Sequence, residues 1–263
     1  MLKNTFVHIP GVSQEVENKL WGEGIITWEE FLERKENIFF LSNSKKSNII
    51  NELVLSKTNF ENGNLEYFQK KLPKNQHWRC IGCGKIAYID IETTGLSKYT
   101  NKITTIGVYD GENTRVFING IDLEEVFEYI NQYDIIVTFN GKQFDVPFIE
   151  YYFNDMLKNS FHLDLRYLMR ELGYRGGLKV IEKNLNIVRD DEVEDIDGFE
   201  AVKLWKRYEK YNCENSLNKL VQYNIEDIVN LEKLLKIYLS NKIDNTSVLN
   251  SNNYIEQFIE DIR

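Results

Sequence analysis

The chain has 263 residues, of which 42% are hydrophobic, which is enough for one large domain or for a medium domain with a small partner. It contains no run of about 18 apolar residues, and its first residues lack the apolar segment of a secretion signal, so we expect a cytoplasmic protein without a membrane span. The net charge of -9 excludes a general attraction to nucleic acid or anionic lipid, so any nucleic-acid-binding surface must be local.

Helical spacing dominates the first 70 residues. Apolar residues recur at intervals of three and four in the segments SQEVENKLW, TWEEFLERK and SNIINELVL. We therefore predict an all-α N-terminal module over residues 1–70, followed by a basic linker over 71–84.

Short segments rich in β-branched and aromatic residues begin at Lys85. Four predicted strands, KIAYIDI, KITTIGVYD, NTRVFIN and DIIVTFN, are separated by Gly, Asn and Asp turns. GENT predicts a hairpin after the second strand, and LEEVFEYINQ predicts a helix before the fourth, which can then pair in parallel. Helical patterns follow. We predict an α/β fold over 85–240, with a mixed sheet covered by helices, and a polar tail over 241–263 in which NYIEQFIEDI has a helical pattern.

Acidic residues interrupt this pattern at three places. Alternation along the first strand, YIDIETTGL, puts Asp90 and Glu92 on one face, where two like charges in a core segment require a counter-ion. Asp145 follows the fourth strand in IIVTFNGKQFD, and YNIED places Tyr223 and Asp227 on one face of a helix. Four carboxylates could thus converge on a site of the kind that hard divalent cations prefer.

The three motifs resemble those of a known family of nucleases. D-x-E in DIETTGL, N-x-x-x-F-D from Asn140 to Asp145 and Y-x-x-x-D from Tyr223 to Asp227 are similar to the exonuclease motifs of the DnaQ-like (DEDD) superfamily, in its DEDDy subtype, on a ribonuclease H-like fold. The segments HLDLRYLMRELGYRGGLKVIEKNLNIVR, DIDGFEAVKLWKRYEKY and YNIEDIVNLEKLL resemble the YprB-type branch. The resemblance covers about residues 85–238.

This resemblance implies a 3′–5′ exonuclease that hydrolyses DNA or RNA, at a single-stranded or frayed 3′ end, with two Mg²⁺ or Mn²⁺ ions. It implies that Asp90 bridges both ions, that Glu92 and Asp227 complete the site of the attacking water, and that Asp145 supports the second ion. Tyr223 takes the position that orients the water. The positions that contact the terminal nucleotide are matched by Thr93, Leu96 and Asn140. Two alternatives remain open, a non-catalytic nucleic-acid-binding module on the same fold and a ribonuclease H-like endonuclease.

Other candidate residues have structural explanations. His162 and Asp164 follow a fifth predicted strand and could approach the site, but we favour a hydrogen-bonded pair at a sheet edge. Cys80 and Cys83 have the spacing of zinc ligands, but the chain offers no second pair, so we favour cysteines that lie in the connection before the first strand.

Two N-terminal segments could contact nucleic acid. FVHIPGVSQEVENKLWGEGIITWEEFL resembles a helix-hairpin-helix module, whose Pro-Gly turn presents backbone N–H groups to a phosphate, although Ser13 stands where such hairpins usually have a second glycine. QKKLPKNQHWRCIGCGK is the most basic stretch, with cations at Lys70, Lys71, Lys74, Arg79 and Lys85. For both segments a role in packing or as a solvated linker is an equal alternative.

Overall fold

The computed structural model describes residues 1–154, 156–157 and 160–244. It divides into two compact units, one formed by Met1–Gly84 with the end of the last helix from Asn241, the other by Lys85–Ser240. The predicted helical pattern NYIEQFIEDI lies outside the described residues. Within the described part of the chain, no helix is both long enough and apolar enough to cross a membrane.

The first unit is all helical. Its four helices are α1 (Gln14–Gly22), α2 (Trp28–Arg34), α3 (Asn43–Glu61) and α4 (Leu65–Lys71), and a 3-10 helix follows at Lys74–Cys80. Each α-helix begins at a side-chain cap, as short polar residues before an apolar run predict. The capping residues are Ser13, Thr27, Ser42 and Asn64.

A buried ion pair organises the start of this unit. Glu17 accepts hydrogen bonds from the backbone N–H groups of Phe6 and Val7, at 2.6 and 3.2 Å, and its carboxylate pairs with Arg79 at 2.9 Å. Both charged side chains are buried, and each offsets the desolvation of the other. Arg79, a member of the basic stretch, is therefore engaged inside the unit. Contact of residues 6–32 with nucleic acid stays a prediction.

Two lysines of the basic stretch also have acidic partners. Lys70 pairs with Glu66 at 2.5 Å, and Lys71 pairs with Glu52 at 2.9 Å. These pairs lower the positive charge that the stretch can offer to a phosphate backbone.

The second unit contains a five-stranded mixed sheet in the order β3-β2-β1-β4-β5. Strands β1, β2 and β3 form an antiparallel meander, whereas β4 pairs in parallel with β1 and β5 pairs in parallel with β4. This confirms the predicted meander and the parallel fourth strand. The strands are β1 (Ile86–Thr93), β2 (Ile103–Tyr109), β3 (Thr114–Ile118), β4 (Ile135–Thr138) and β5 (Phe161–Asp164).

Helices cover this sheet, as the fold-class prediction requires. After a 3-10 turn at Leu123–Glu125 they are α5 (Val126–Ile130), α6 (Asp145–Phe153), α7 (Leu165–Glu171), α8 (Leu178–Asn184), α9 (Gly198–Tyr211) and α10 (Glu214–Asp244).

The alternation of side chains along β1 determines which residues pack in the apolar core and which lie on the opposite face of the sheet. Ala87, Ile89 and Ile91 belong to one buried apolar cluster with residues of β2, β3, α5 and α6. Since successive side chains of a strand point to opposite faces, Asp90 and Glu92 lie on the other face. A second apolar cluster packs α9 against α10.

Candidate metal centre

Three carboxylates from two elements meet on the face of β1 opposite the apolar cluster. Asp90 and Glu92 come from β1 and Asp227 comes from the middle of α10, and one oxygen of each lies within 4.8 Å of the others. Glu92 and Asp227 are buried and Asp90 is partly exposed. A β-bulge follows Glu92, at the point where β1 leaves its register with β2.

Asp145, the fourth predicted ligand, lies beside this group but is not one of the three. It is the first residue of α6, is buried, and accepts a hydrogen bond from the backbone N–H of Ile91 at 3.1 Å through Oδ1. Burial raises the pKa of Asp145 to about 7, against two backbone hydrogen bonds that lower it. One of its oxygens is thus used to fix α6 to β1.

The electrostatics of the cluster favour a cation. Burial raises the pKa values of Asp90 and Glu92 well above their ordinary range, and repulsion from Asp227 and Asp145 raises them further. Burial raises the pKa of Asp227 to about 6, although Arg189 opposes this shift. A bound cation would relieve both effects. Because the three donors are carboxylate oxygens, the residues present fit a hard divalent ion such as Mg²⁺ or Mn²⁺.

A buried arginine holds Asp227 in place. Arg189 lies after α8 and contacts Asp227 Oδ1 at 2.5 Å through Nη2. The same guanidinium donates two hydrogen bonds of 2.7 Å to Glu182, which also accepts from Asn230 Nδ2 at 2.9 Å. This arrangement was not predicted from the sequence, because an arginine and a glutamate in a helical pattern also occur on any solvated helix face.

Tyr223 lies one helical turn before Asp227 on α10. Its side chain is buried in the second apolar cluster, and the cations of Lys179 and Arg189 lie 5.2 and 5.7 Å from its ring centre. Burial raises the pKa of Tyr223, so its hydroxyl keeps its proton at neutral pH. The Lys179 ammonium donates to the backbone carbonyls of Glu194 and Ile196.

Gly107 lets α10 approach the strand that carries Asp90. It pairs with Asp90 in the β1–β2 register, and a Cβ there would lie 2.8 Å from Asn224 Oδ1 and 3.1 Å from Ile228 Cγ2. In this space Asn224 Nδ2 donates to Asp90 Oδ2 at 2.8 Å. The sequence carries a signal for this contact, since a glycine inside an apolar strand marks a close approach of another element.

The three residues predicted to contact the terminal nucleotide differ in their surroundings. Thr93 donates from Oγ1 to the carbonyl of Gly95 at 2.7 Å, and Leu96 is 87% exposed. Asn140 has a φ of 62°, in the left-handed region, and its Oδ1 accepts from Arg166 Nη1 at 2.5 Å.

Asp164 fixes the turn that carries Asn140. Its carboxylate accepts backbone N–H groups from Asn140, Lys142 and Arg166 at 2.8 to 3.0 Å. His162 Nε2 lies 2.9 Å from Thr138 Oγ1. Both residues lie within β5 rather than after it, on an edge strand, which corrects their predicted position. They form these hydrogen bonds with other residues rather than with each other, at the sheet edge that we expected.

The cysteine pair belongs to no group of three or more possible metal ligands among the described residues. Cys80 is buried and Cys83 is half-buried, and burial raises the pKa of both thiols. Across residues 1–154, 156–157 and 160–244, the group of His, Cys, Asp and Glu close enough to share an ion is the set Asp90, Glu92 and Asp227.

A family model and a relative of known sequence match this chain. The sequence model of the RNase_H superfamily matches residues 87–239. The uncharacterized protein MJ0365 of Methanocaldococcus jannaschii is 28% identical in an alignment of 174 positions, which covers 57% of this chain and 93% of that protein.

Solved structures are similar at low sequence identity. The family B DNA polymerase of the hyperthermophilic archaeon Pyrobaculum calidifontis has a TM-score of 0.46 and 15% identity, over 61% of this chain and 24% of the polymerase. This chain therefore spans about a quarter of that polymerase. NrnC of Brucella melitensis has a TM-score of 0.42 and 16% identity, over 67% of this chain and 84% of that one.

Proposed function

Since the chain belongs to the RNase_H superfamily, we propose that it is a metal-dependent 3′–5′ exonuclease that removes nucleotides from single-stranded or frayed ends of DNA or RNA. One observation carries the proposal: carboxylate oxygens of Asp90, Glu92 and Asp227 lie within 4.8 Å of one another, with Tyr223 one turn before Asp227. Such a set of oxygens suits the cations that assist phosphodiester hydrolysis.

In this mechanism Asp90, Glu92 and Asp227 would hold two Mg²⁺ or Mn²⁺ ions, and Asp145 would support one of them. When bound, such ions lower the pKa of a coordinated water and stabilise the negative charge that develops on the phosphate. Tyr223, which keeps its proton, orients the attacking water through its hydroxyl. It does not act as the base, because burial raises its pKa.

Arg189 and Asn224 are positioning residues in this proposal. Arg189 directs one oxygen of Asp227, and Asn224 directs one oxygen of Asp90. Asp90 and Asp227 therefore each have one oxygen whose direction is set by a neighbouring side chain, as ligands of a preorganised metal site usually do. Thr93, Leu96 and Asn140 contact the terminal nucleotide, for which Leu96 offers an exposed apolar side chain.

A polarity experiment tests the proposal. Single strands of DNA and RNA, labelled either at the 3′ end or at the 5′ end, are incubated with Mg²⁺ or Mn²⁺ and the products are sized. We expect immediate release of the 3′ label as a mononucleotide and stepwise shortening of the 5′-labelled strand. A circular single strand is the control and should stay intact. Cleavage of the circle would establish an endonuclease, and binding without hydrolysis of any strand would establish a binding module.

A further inference from the structure

Three arginines line one small cavity next to the loop of the second motif. The cavity has a volume of about 220 Å³ and is lined by Arg166, Arg170, Tyr174, Arg175, Gly176 and Ile181. We call it the arginine pocket. Ligand pockets for drug-sized molecules measure roughly 300–1,000 Å³, so this one suits a single small group rather than a whole cofactor.

The local chain builds this pocket from α7 and the turn after it. Arg166 and Arg170 are four residues apart on α7 and therefore share a face of the helix. The helix ends at Glu171, and Gly173, whose φ is 92°, turns the chain back so that Tyr174 N–H donates to the carbonyl of Met169.

Gly176 closes the turn and brings Arg175 to the same cavity. Its φ is 119°, and a Cβ at this position would lie 3.0 Å from the side chain of Val180. An L-residue would be strained here and would also press on α8. The backbone at residue 176 therefore favours glycine, and this turn places Arg175 at the edge of the cavity.

No described residue balances the positive charge of the pocket with an ion pair. Arg166, Arg170 and Arg175 are exposed, and among the described residues none of them has a carboxylate within ion-pair distance. Arg79, Arg115 and Arg189, in contrast, all pair with acidic side chains. Three unpaired guanidinium groups around one cavity repel one another, and a bound anion would relieve this repulsion. In a chain with a net charge of -9, such a patch is the local surface that phosphate binding requires.

One of the three arginines links the pocket to the candidate active site. Arg166 Nη1 donates to Asn140 Oδ1 at 2.5 Å, and Asn140 lies in the turn between β4 and Asp145. An anion in the pocket would therefore lie beside the turn that carries the second motif. The guanidinium fork matches phosphate oxygens in geometry as well as charge.

From these observations, and resting on the proposed function, we propose that the arginine pocket binds an internal phosphodiester of the substrate strand. Because a 3′–5′ exonuclease holds the 3′ end at its metal site, this phosphate lies on the 5′ side of the bond that is cut. The contact is independent of base sequence, since it involves the backbone alone. It fixes the strand so that the terminal nucleotide reaches the carboxylates.

The test measures binding of single-stranded oligonucleotides by fluorescence anisotropy at several salt concentrations. Every protein in this test is the 263-residue chain with Asp90→Asn, which prevents hydrolysis. One protein carries no further change, and a second also carries Arg170→Gln and Arg175→Gln. The matched control carries Lys206→Gln and Arg207→Gln, which remove the same number of charges from other exposed positions of the same unit. Arg166 is kept intact because it also contacts Asn140. Circular dichroism verifies that each variant is folded.

We expect the two pocket substitutions together to weaken binding by roughly tenfold or more, since each removes a charge-assisted hydrogen bond. The slope of log K against log salt should become smaller by about 0.7 for each phosphate that the protein no longer neutralises. The control with Lys206→Gln and Arg207→Gln should leave both quantities unchanged. Equal binding by the pocket variants and the control would overturn the proposal.

A methylphosphonate scan locates the phosphate. Oligonucleotides that carry one uncharged methylphosphonate at successive positions from the 3′ end should bind less well to the Asp90→Asn chain at one internal position. That decrease should vanish when Arg170→Gln and Arg175→Gln are also present. If no position behaves in this way, or if inorganic phosphate or a 5′-terminal phosphate alone accounts for the effect, the pocket does not bind an internal phosphodiester.

The two proposals fail separately. If the wild-type chain hydrolyses no strand but the pocket variants still bind more weakly, the exonuclease proposal fails and the phosphate site stands. If the wild-type chain hydrolyses 3′ ends and the pocket variants bind oligonucleotides as tightly as the Asp90→Asn chain does, the exonuclease proposal stands and the phosphate site is wrong.

Discussion

Asn224 on α10 donates a hydrogen bond from its side-chain amide to Asp90 Oδ2 on β1 at 2.8 Å. The amide lies beside Gly107, where a side chain would occupy its space. Asn224 and Asp90 are 134 positions apart in sequence. This contact ties the helix that carries Asp227 to the strand that carries Asp90 and Glu92. The arrangement of the three carboxylates therefore depends on a glycine that is not a ligand.

Gly107→Ala should disturb the cluster. The added methyl group would lie 2.8 Å from Asn224 Oδ1, so either the Asn224 side chain must leave Asp90 or α10 must move away from β2. We expect a loss of about 1–3 kcal/mol in the free energy of unfolding, as for other overpacked sites, together with weaker Mn²⁺ binding. Urea unfolding and titration calorimetry measure the two effects. Gly198→Ala is the control, because a Cβ there meets nothing within 4 Å. Equal behaviour of the two variants would contradict this explanation.

Divalent ions should stabilise the folded chain. A ligand that binds only the folded state at 100 times its dissociation constant adds about 2.7 kcal/mol to the free energy of unfolding. We expect Mg²⁺ or Mn²⁺ to raise the melting temperature of the wild-type chain and to have a much smaller effect on Asp90→Asn. Thermal unfolding with and without EDTA provides the measurement. A melting temperature that metal leaves unchanged in the wild type would contradict the proposed metal site.

Arg189 should be required for both stability and metal affinity. Arg189→Met leaves Glu182 buried without its cation, and breaking a buried pair in this way typically costs about 3–5 kcal/mol. Arg189→Lys keeps the charge but not the two-point contact, so its destabilisation should be smaller. Calorimetric Mn²⁺ binding should weaken in both variants, because Asp227 loses its partner.

An exposed ion pair provides the control for these variants. Lys203 pairs with Glu200 at the surface of α9, so Lys203→Met should cost less than about 1 kcal/mol and should not change Mn²⁺ affinity. If Arg189→Lys binds Mn²⁺ as tightly as the wild type does, Arg189 is a structural residue only.

His8 should make stability depend on pH. Burial, with Lys71 adding to it, lowers the pKa of His8 from 6.5 to about 3. Between these two values the unfolded chain binds a proton that the folded chain does not, so stability rises with pH over this range and falls on acidification. The effect is about 5 kcal/mol at most.

The His8 contribution is isolated by comparison with a variant. His8→Gln, which offers an amide in place of the ring nitrogen that contacts Ser56, should lose less stability than the wild type between pH 6.5 and pH 4. Urea unfolding in the presence of EDTA measures the free energy of unfolding of both proteins without bound metal. Identical pH dependence of the two would show that His8 is not the responsible group.

The sequence predicts features that depend on neighbours along the chain. The four strands, the hairpin at GENT and the common face of Asp90 and Glu92 follow from alternation and turn residues, and the fold agrees with them. The common face of Tyr223 and Asp227 follows from helical spacing in the same way.

Contacts between distant segments were not predictable from such patterns. Glu182 and Asn230 are 48 positions apart, and neither residue type distinguishes a buried network from a solvated helix. The arginine pocket was missed for a related reason, since its cations are spread over α7 and the following turn and form no basic run. The run that the sequence does contain has several of its charges already paired. Of the contacts described above, only the approach of α10 to Gly107 had a signal in the sequence, because a glycine inside an apolar strand indicates that another element lies close to it.

The most direct test of the proposed function compares two neighbouring acids on α10. Asp227 belongs to the carboxylate cluster, whereas Glu226, one residue earlier, is half-buried and lies outside it. Digestion of a 5′-labelled single strand with Mg²⁺ should give a 3′–5′ ladder with the wild type and with Glu226→Gln, and no ladder with folded Asp227→Asn. Equal digestion by both variants, or none by the wild type with either Mg²⁺ or Mn²⁺, would contradict a metal-dependent exonuclease at this site.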